Sequence, residues 1–382
     1  MTTGTDKPAI CVPKPRVLVL QVHAENAGTQ EISRLIDAGL SARGYDVHEL
    51  YFFVRSTSLF RSAPNVVICA PRPPRGIVDR VRIAWRAIAE VRRLRPDVIL
   101  CLQWDGNLFG AFLARLAGRS SAIANQFTAP LMHPAWARGL DGILGALGLY
   151  SRIVVNTGDV ERRFASHSRF YRKRLTRIDH GFADKTSKLS KSAARAAFGL
   201  PQDVVLLGSV GRLVPQKHFD AAVRLLAHDS GWNLALCGQG VDADRLRALA
   251  KYLDADERLH LPGEIHPDKV GDFLAALDVF VFPAISESFG LAVAEAAQAG
   301  VPVVANDLEV LREVLAVDGE ACALFVDADD TAAFAEAVAR LLHDETLREH
   351  LTKSGRRLGT RYSLEHMYDG YDRMIKAVLG SA

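Results

Sequence analysis

The sequence predicts an α/β protein in which two doubly wound domains of similar size face each other across a cleft. The chain has 382 residues, which is enough for two domains of ordinary size. Short apolar runs alternate with longer helical patterns, which is typical of parallel sheets covered by helices. The alternation starts again after a polar stretch at residues 184–191, so we expect domains at residues 1–183 and 192–362 joined by a linker there.

In the first half, apolar runs predict strands and the segments between them predict helices. One helix is expected from about residue 29 to 43, and a second helix at residues 77–95 is bounded by prolines on both sides. We expect the apolar stripe of this second helix to face the core, and the stripe consists of Ile77, Val81, Ala84, Ile88 and Val91. The predicted strands are residues 17–22, 45–53, 98–102, 121–126 and 152–156.

The second half repeats this rhythm. Its predicted strands are residues 204–210, 233–237, 259–261, 279–282, 301–305 and 323–326. Its predicted helices are residues 219–228, 242–253, 291–299, 331–342 and 363–379. In doubly wound sheets, ligands bind outside the carboxyl ends of the strands, so the loops at those ends are where we expect the chemistry.

Composition excludes several classes of protein. Hydrophobic residues make up 49% of the chain and charged residues 24%, as in ordinary globular domains. No apolar run approaches the roughly 18–20 residues of a membrane span, and residues 1–15 lack the pattern of a secretory signal, so we expect a cytoplasmic protein. The cysteines form no CxxC pair and are expected to be buried thiols rather than zinc ligands. They are Cys11, Cys69, Cys101, Cys237 and Cys322.

The net charge of +3 hides a division between the two halves. Residues 1–190 carry 28 Lys and Arg against 15 Asp and Glu, a net charge of +13, whereas residues 191–382 carry 19 against 29, a net charge of −10. The basic clusters of the first half are either solvated faces or a patch for an anionic membrane or a lipid-diphosphate acceptor. No nucleic-acid-binding motif accompanies them. The residues of the patch are Arg80, Arg82, Arg86, Arg172, Lys173 and Arg174.

A loop after the first strand of the second half carries two cations. Residues 208–217 read GSVGRLVPQK, which places Arg212 and Lys217 five residues apart, at the mouth of a helix expected near His218. Two cations beside a helix N-terminus form a good diphosphate site. Two solvated charges on a loop would give the same pattern, and these residues alone do not choose between the two interpretations.

A second loop follows the very apolar fourth strand of that half and reads PAISESFGLAVAE at residues 283–295. Ser286 or Ser288 is expected to cap the helix that follows, with Glu287 above its N-terminus, where the first amides can bind a phosphate. Glu295 lies one turn into this helix of small residues. Because a carboxylate there loses hydration, a role in binding a ligand hydroxyl is favoured over a purely dipolar one.

Together these two loops resemble those of family 4 of the retaining glycosyltransferases, whose GT-B fold pairs two Rossmann-like domains. Glu287 and Glu295 match the E-x7-E signature of that family, and residues 211–217 match its donor-phosphate motif. Weaker matches extend over almost the whole chain, among them a glycine loop at residues 27–29 and the segment RIDHGF at residues 177–182. The resemblance also implies that the last helix, within residues 363–382, packs back on the first domain.

The resemblance implies a role for each matching residue. Arg212 and Lys217 would bind the donor diphosphate, Glu287 would contact the donor sugar, and these three would be the catalytic residues. Glu295 would bind the ribose, and Gly28 would let the loop of the first domain approach the donor. Backbone amides would complete the donor site, namely those of Phe289, Gly290 and Leu291.

Three further residues are candidates for the acceptor side of the cleft. Gln126 stands where the family often has a histidine, and His133, which lies seven residues further on, is the alternative to it unless it is an ordinary loop histidine. His180 stands where the family usually has an asparagine, at the domain junction. In the first loop the family often has two glycines, where this chain has Ala27 and Gly28.

Two weaker patterns are interpreted as structural. Residues 238–243 fit GxGxxA, but the strand at residues 258–262 ends without the acidic residue of a dinucleotide site, so we reject a dehydrogenase. The tripeptide Asp-Ala-Asp occurs at three places, beginning at Asp242, Asp254 and Asp327, and helix capping explains it better than a metal does. We expect neither a metal nor a cofactor.

The motifs and the resemblance together imply a retaining, metal-independent glycosyltransferase that uses a nucleotide-diphosphate sugar, UDP- or GDP-linked, as its donor. The acceptor hydroxyl would belong to a glycan, a polysaccharide or a glycolipid, and the enzyme would work in the cytoplasm or at the inner face of the membrane. Two alternatives stay open: a nucleotide-sugar epimerase or hydrolase of the same fold, and a non-catalytic subunit that binds nucleotide sugars.

Overall fold

Two parallel sheets, each covered by helices, make up the part of the chain that the structure describes. A computed structural model describes residues 14–25, 28–55, 63–118, 120–127 and 133–380. The predicted fold class, two doubly wound α/β domains, is confirmed. Ala27 of the predicted glycine loop and Cys11 lie outside the described residues.

The first sheet has seven strands. They are β1 (Arg16–Ala24), β2 (Asp46–Val54), β3 (Val66–Ala70), β4 (Val98–Leu102), β5 (Ser121–Gln126), β6 (Arg152–Val155) and β7 (Leu175–Arg177). The helices between them are α1 (Gly28–Ala42), α2 (Ile77–Leu94), α3 (Trp104–Ala117), α4 (Ala135–Ala146), α5 (Gly158–Arg163) and α6 (Arg169–Arg172). The spatial order is β3-β2-β1-β4-β5-β6-β7, and every pairing is parallel.

The second sheet has six strands. In chain order, the strands of this half are β8 (Val205–Val210), β9 (Trp232–Cys237), β10 (Leu259–Gly263), β11 (Val279–Phe282), β12 (Val303–Asn306), β13 (Ala316–Val317), β14 (Glu320–Ala321) and β15 (Leu324–Val326). The sheet order is β10-β9-β8-β11-β12-β15, all parallel, and β13 and β14 form a separate antiparallel hairpin. The helices are α7 (Lys191–Ala197), α8 (Phe219–Arg224), α9 (Ala243–Tyr252), α10 (Val270–Ala275), α11 (Leu291–Gln298), α12 (Glu309–Val314), α13 (Thr331–His343), α14 (Glu345–Arg356), α15 (Leu358–Arg361) and α16 (Leu364–Leu379).

Continuous apolar runs form the central strands because both faces of each sheet are covered. Every residue of β4 and every residue of β11 is buried. Successive side chains alternate between two cores, so that Ile99 packs on one side of the first sheet and Leu100 on the other. In the same way, Phe280 packs on one side of the second sheet and Val281 on the other.

The last helix, α16, lies on the first domain. Its residue Tyr371 donates a hydrogen bond from Oη to Oδ1 of Asn125 on β5, over 2.8 Å. The approach to α1 is close, since a Cβ on Gly39 would lie 2.2 Å from the ring of Tyr368. Strand β1 and helix α16 thus contribute to the same core, and residues 178–190 connect the first domain to the second.

The segment predicted as a polar linker is packed in part against the second domain. Lys185 is only 8% exposed, and Lys191 already begins α7. A Cβ on Gly271 of α10 would lie 2.3 Å from the carbonyl oxygen of Lys185. Because glycine has no side chain, the linker segment can pack this closely against the helix.

Helix α2 buries a different stripe from the predicted one. Ile77 is 78% exposed and Val81 is 51% exposed. The buried residues are instead Ile83, Ala87, Val91 and Leu94. Two apolar stripes run along this helix and meet at Val91, so its own periodicity does not decide which stripe packs on the sheet. Strands β3 and β7 and the hairpin were not predicted either, because they are short and largely half-buried or exposed.

The cysteines of the described residues are free and buried, as predicted: Cys69, Cys101, Cys237 and Cys322. Burial raises the pKa of each of these thiols. Within the described ranges, we find no helix whose length and apolar character would let it span a membrane.

Candidate active site

The two loops singled out in the sequence meet at the carboxyl ends of β8 and β11, which are neighbouring strands of the second sheet. The backbone amide of Ile285 donates to the carbonyl oxygen of Gln216 over 3.1 Å. The side-chain amide of Gln216 in turn donates to the carbonyl oxygen of Ser286 over 2.8 Å. Because of these two hydrogen bonds, the loops form one unit at the edge of the sheet.

Lys217 and Glu287 form an ion pair within this unit. Both side chains are largely buried, at 17% and 12% exposure. The ammonium group of Lys217 also lies 5.1 Å from the ring centroid of Phe282, the last residue of β11. The structure thus brings together two of the three predicted catalytic residues, 70 positions apart in the chain.

Two glycines hold the first loop in place. A Cβ on Gly238 would lie 1.9 Å from the carbonyl oxygen of Gly211, and a Cβ on Gly240 would lie 2.0 Å from that of Leu213. The amide of Leu213 also donates to the carbonyl oxygen of Gln239 over 2.8 Å. The pattern at residues 238–243 therefore supports the neighbouring loop through close backbone packing.

Helix α11 begins at a glycine rather than at a serine cap. The N-terminal cap is Gly290, with a φ of 81°, and no side chain caps the helix, so the prediction of a cap by Ser286 or Ser288 is wrong. Glycine is required here because a Cβ would meet the side chain of Leu311 at 2.8 Å and because this φ is rare for other residues. Gly290 and Leu291 thus provide the first amides of the helix end, directly after Phe289.

Glu295 is buried beside a cation that the sequence did not suggest. Its side chain is 8% exposed, and its Oε1 lies 3.6 Å from Nζ of Lys185. Burial raises the pKa of Glu295 to about 7, an effect that Lys185 reduces and that Glu31 on the facing helix α1 increases. Lys185 is held in place by a hydrogen bond from Nζ to the carbonyl oxygen of Pro267, 3.0 Å long. Sequence reasoning missed Lys185 because it lies within a run of polar residues.

Arg212 meets a carboxylate of the first domain. Its Nη1 lies 3.6 Å from Oε1 of Glu25, which follows β1. Glu25 also contacts Nε2 of His23 at 3.1 Å and Nη1 of Arg55 at 3.7 Å. Burial alone would raise the pKa of Glu25, but the hydrogen bond to His23 and the two guanidinium groups hold it below its usual value. No motif in the sequence marks Glu25 as a site residue.

Gly28 is the first residue of α1, three positions after Glu25 in the chain. Apart from its chain neighbours and the backbone of its own helix, none of the described atoms lies within 4 Å of where a Cβ on Gly28 would stand. The space in front of this glycine is therefore open, in contrast to the crowded glycines of the second domain.

Gln126, predicted to line the cleft, lies in the interior instead. It is 1% exposed, and its Nε2 donates to Oδ1 of Asp141 at 3.0 Å and to Oη of Tyr171 at 3.1 Å. Its Oε1 accepts from Nδ2 of Asn107 at 3.2 Å. Because the amide is engaged in this buried network, Gln126 supports the first domain and does not line the cleft.

His180 and His133 are both buried histidines near the facing edges. His180 lies between the rings of Phe127 and Phe289, and its Nε2 accepts a hydrogen bond from Nδ2 of Asn156 at 3.0 Å. Burial lowers the pKa of His180 to about 3 and that of His133 to about 4, so both imidazoles are neutral at physiological pH. His180 thus lies where the second loop of the donor side packs against the first domain.

A second contact between the two domains is made by Glu313. The carboxylate of Glu313 on α12 accepts hydrogen bonds from the amides of Gly158 and Asp159, at 2.6 and 2.8 Å, and from Nη2 of Arg177 at 2.8 Å. It therefore caps α5 of the first domain with a side chain of the second. Thr157 also donates from Oγ1 to the carbonyl oxygen of Ser288, at 3.3 Å.

Comparison with known proteins identifies similar chains. The family described as glycosyl transferases group 1 matches residues 190–358. The lipopolysaccharide core biosynthesis glycosyltransferase LpsD of Rhizobium meliloti is 31% identical over 295 residues, which cover 77% of this chain and 79% of that protein. The D-inositol 3-phosphate glycosyltransferase of Geodermatophilus obscurus is 32% identical over 232 residues, which cover 57% of this chain and 50% of that protein. The chain thus spans about half the length of this relative and of others of the same name.

Solved structures share the fold over nearly the whole chain. Anabaena Alr3699/HepE in complex with UDP-glucose superposes with a TM-score of 0.78 at 16% identity, over 96% of this chain and 100% of that one. At this level of identity, the likeness establishes the two-domain architecture.

Proposed function

The chain belongs to the group 1 glycosyl transferases, and from this premise we propose that it is a retaining enzyme that transfers a sugar from a nucleotide-diphosphate sugar to an acceptor hydroxyl. The observation that carries the proposal is the ion pair of Lys217 with Glu287, formed between the loop that also carries Arg212 and the loop that leads into the N-terminus of α11. Two cations, a carboxylate and a helix end at one sheet edge suit a sugar diphosphate.

The donor diphosphate would bind between the two loops. Arg212 and Lys217 would neutralise its charge, together with the amides of Phe289, Gly290 and Leu291 at the positive end of α11. Glu295 would accept hydrogen bonds from the ribose hydroxyls, and Lys185 would hold its carboxylate in place. The open space at Gly28 would let the donor approach α1.

Transfer would proceed as the bond between the anomeric carbon and the phosphate oxygen breaks. The acceptor oxygen forms a bond to the same face of that carbon, and its proton passes to the leaving diphosphate. Arg212, Lys217 and the helix end stabilise the charge that develops on this leaving group, so the proposed mechanism assigns no role to a metal. Once Lys217 turns to the diphosphate, Glu287 is free to bind the donor sugar and orient its anomeric carbon.

The nucleotide would be UDP or GDP. The fold shared with a protein that binds UDP-glucose supports the first of these. The acceptor would be a glycan, a polysaccharide or a glycolipid, in keeping with a relative named for lipopolysaccharide core biosynthesis. No cofactor would be needed beyond the nucleotide sugar.

A peripheral contact with an anionic membrane forms part of the proposal. Helices α2, α3, α4 and α6 lie side by side on one face of the first sheet. Several of their large apolar side chains are exposed, including Ile77, Val78, Val81, Trp85, Phe109, Phe112, Leu116, Ile143, Leu147 and Phe170. The cations on α2, on α6 and directly after α6 are Arg80, Arg82, Arg86, Arg172, Lys173 and Arg174. Apolar side chains set among arginines suit the headgroup region of anionic lipids.

A thermal-shift screen of UDP, GDP and ADP and their sugar conjugates tests the donor site. The expected result is a rise in Tm with one nucleotide series, because a ligand that binds only the folded state stabilises it. If none of these compounds shifts the melting curve, the proposed donor site is contradicted.

A further inference from the structure

Three aromatic side chains of the first domain contact one another outside the donor loops. The ring of Trp104 lies 5.8 Å from that of Trp136, nearly perpendicular to it at 78°, and 5.9 Å from that of His133. Trp136 is 64% exposed, whereas His133 is 8% exposed. We call these three residues the aromatic cluster. An indole this exposed beside a buried imidazole leaves an aromatic surface open to a ligand.

The aromatic cluster lies at the edge of the first sheet that faces the second domain. Trp104 begins α3 directly after β4, and Trp136 is the second residue of α4, which follows β5. Strands β4 and β5 are neighbours, and their carboxyl ends lie on the same edge as that of β1, which precedes Glu25. This is the edge at which ligands bind in doubly wound sheets.

An ion pair across the cleft relates Arg212 to the edge of the first sheet that carries the aromatic cluster. Glu25 lies 3.6 Å from Arg212 and 3.1 Å from His23. Since Glu25 follows β1 and Trp104 follows its neighbour β4, the ion pair with Arg212 and the aromatic cluster lie at the same edge of the first sheet.

Two buried polar atoms, one in the aromatic cluster and one in the residue before Trp104, have no hydrogen-bond partner in the part of the chain that the structure describes. They are Nε2 of His133 and Oε1 of Gln103. Buried polar atoms are nearly always paired in proteins, so unpaired ones at a cleft edge point to a partner that binds there. Gln103 also has φ 67° and ψ 156°, a backbone conformation that residues other than glycine seldom adopt and that is typical of binding sites.

We propose that the aromatic cluster binds a sugar ring of the acceptor. The apolar face of a sugar ring packs on the indoles of Trp104 and Trp136, while its hydroxyl groups bond with Nε2 of His133 and Oε1 of Gln103. The inference rests on the proposed function and narrows its acceptor to a molecule that already carries a sugar. A lipid or polyol without a sugar ring would leave the two polar atoms and the indole faces unused.

Fluorine NMR of the full chain labelled with 5-fluorotryptophan tests the proposal, because the chain has only four tryptophans. Trp104 and Trp136 report on the aromatic cluster. Trp85 on α2 is the matched control, with the same 64% exposure as Trp136, and Trp232, at 5% exposure, is the buried control. Single Trp→Phe variants assign the four signals. Maltose, lactose and cellobiose are titrated at millimolar concentration, with glycerol at an equal concentration of hydroxyl groups.

The expected result is a saturable shift of the Trp104 and Trp136 signals with at least one disaccharide, no shift with glycerol, and no change at Trp85 or Trp232. Trp136→Ala should weaken the binding of that disaccharide at least tenfold, whereas Tyr252→Ala, at the exposed end of α9 in the second domain, should leave its affinity unchanged. The proposal is overturned if no disaccharide shifts the cluster, if Trp85 shifts equally, or if Trp136 responds only to anionic phosphatidylglycerol vesicles. The titration contains no nucleotide, so its failure is distinct from a failure of the donor site.

Discussion

Arg212 of the second domain meets Glu25 of the first domain across the cleft, with 3.6 Å between Nη1 and Oε1. The guanidinium group that would bind the donor diphosphate is thus paired with a carboxylate from the opposite side. Two of the other contacts of Glu25, with His23 and Arg55, lie within its own domain, so its charge stays balanced when Arg212 turns to another anion.

Glu25→Gln should tighten the binding of the matching nucleoside diphosphate about threefold to tenfold, because Arg212 no longer has to leave an ion pair. Titration calorimetry with UDP and GDP measures this. The comparison of Arg212→Met with the double variant is the control, since removal of Glu25 should bring no gain when Arg212 is absent. Equal or weaker binding by the single variant Glu25→Gln would refute competition between Glu25 and the phosphate.

Glu287→Gln should lower kcat/KM for sugar transfer more than tenfold, a loss of transition-state stabilisation above about 1.4 kcal/mol. The affinity for the nucleoside diphosphate alone should change less than about threefold, because Glu287 acts on the sugar. Release of nucleoside diphosphate with a total glycolipid extract as acceptor is the assay. Glu336→Gln, on the exposed surface of α13, is the matched control. Near-normal transfer by Glu287→Gln would contradict the proposed role of Glu287 in binding the donor sugar.

Glu295 should make the stability of the protein depend on pH. Its pKa is raised to about 7 from the usual 4.5, chiefly by burial. Between these two values the unfolded chain loses the proton while the folded chain keeps it, so the free energy of unfolding falls as pH rises through this window. Glu295→Gln should therefore gain stability relative to the wild type from pH 5.0 to 7.5, by up to about 3 kcal/mol. Urea unfolding at the two pH values measures this gain, and a difference that does not change with pH would contradict it.

Glu313→Gln should weaken the contact between the domains. The variant loses the negative charge that accepts hydrogen bonds from Gly158, Asp159 and Arg177, which we expect to lower the free energy of unfolding by about 1–3 kcal/mol. Glu309→Gln on the same helix is the matched control, because Glu309 is 77% exposed and its ion pair with Arg162 is 3.9 Å long. We expect this control to change stability by less than about 0.5 kcal/mol. A loss no larger than that of the control would contradict the role of Glu313.

Much of the architecture could be predicted because it depends on local patterns. The alternation of buried strands and helices, and the loops that carry Lys217 and Glu287 after such strands, are visible in consecutive residues. The burial of α2 was not predictable in this way, since the helix has two apolar stripes and only the packed sheet selects the one with Ile83.

The residues that sequence reasoning missed depend on contacts between distant segments. Glu25 and Lys185 acquire their roles from Arg212 and Glu295, which lie more than 100 positions away in the chain. The prediction that Gln126 lines the cleft was wrong for the same reason. Its hydrogen-bond partners Asp141 and Tyr171 come from other elements, and they hold its amide in the interior. Such pairings follow from the tertiary fold and leave no signature in the neighbouring sequence.

Binding of UDP and GDP to the wild type, to Lys217→Met and to Lys191→Met, measured by calorimetry, tests the central claim most directly. Lys191 is the matched control because it is a half-exposed lysine paired with Asp278, away from both loops. We predict that the wild type and Lys191→Met bind one of the two nucleotides with equal affinity and that Lys217→Met binds it at least tenfold more weakly. Absence of binding to the wild type, or equal binding by all three proteins, would contradict the donor site described above.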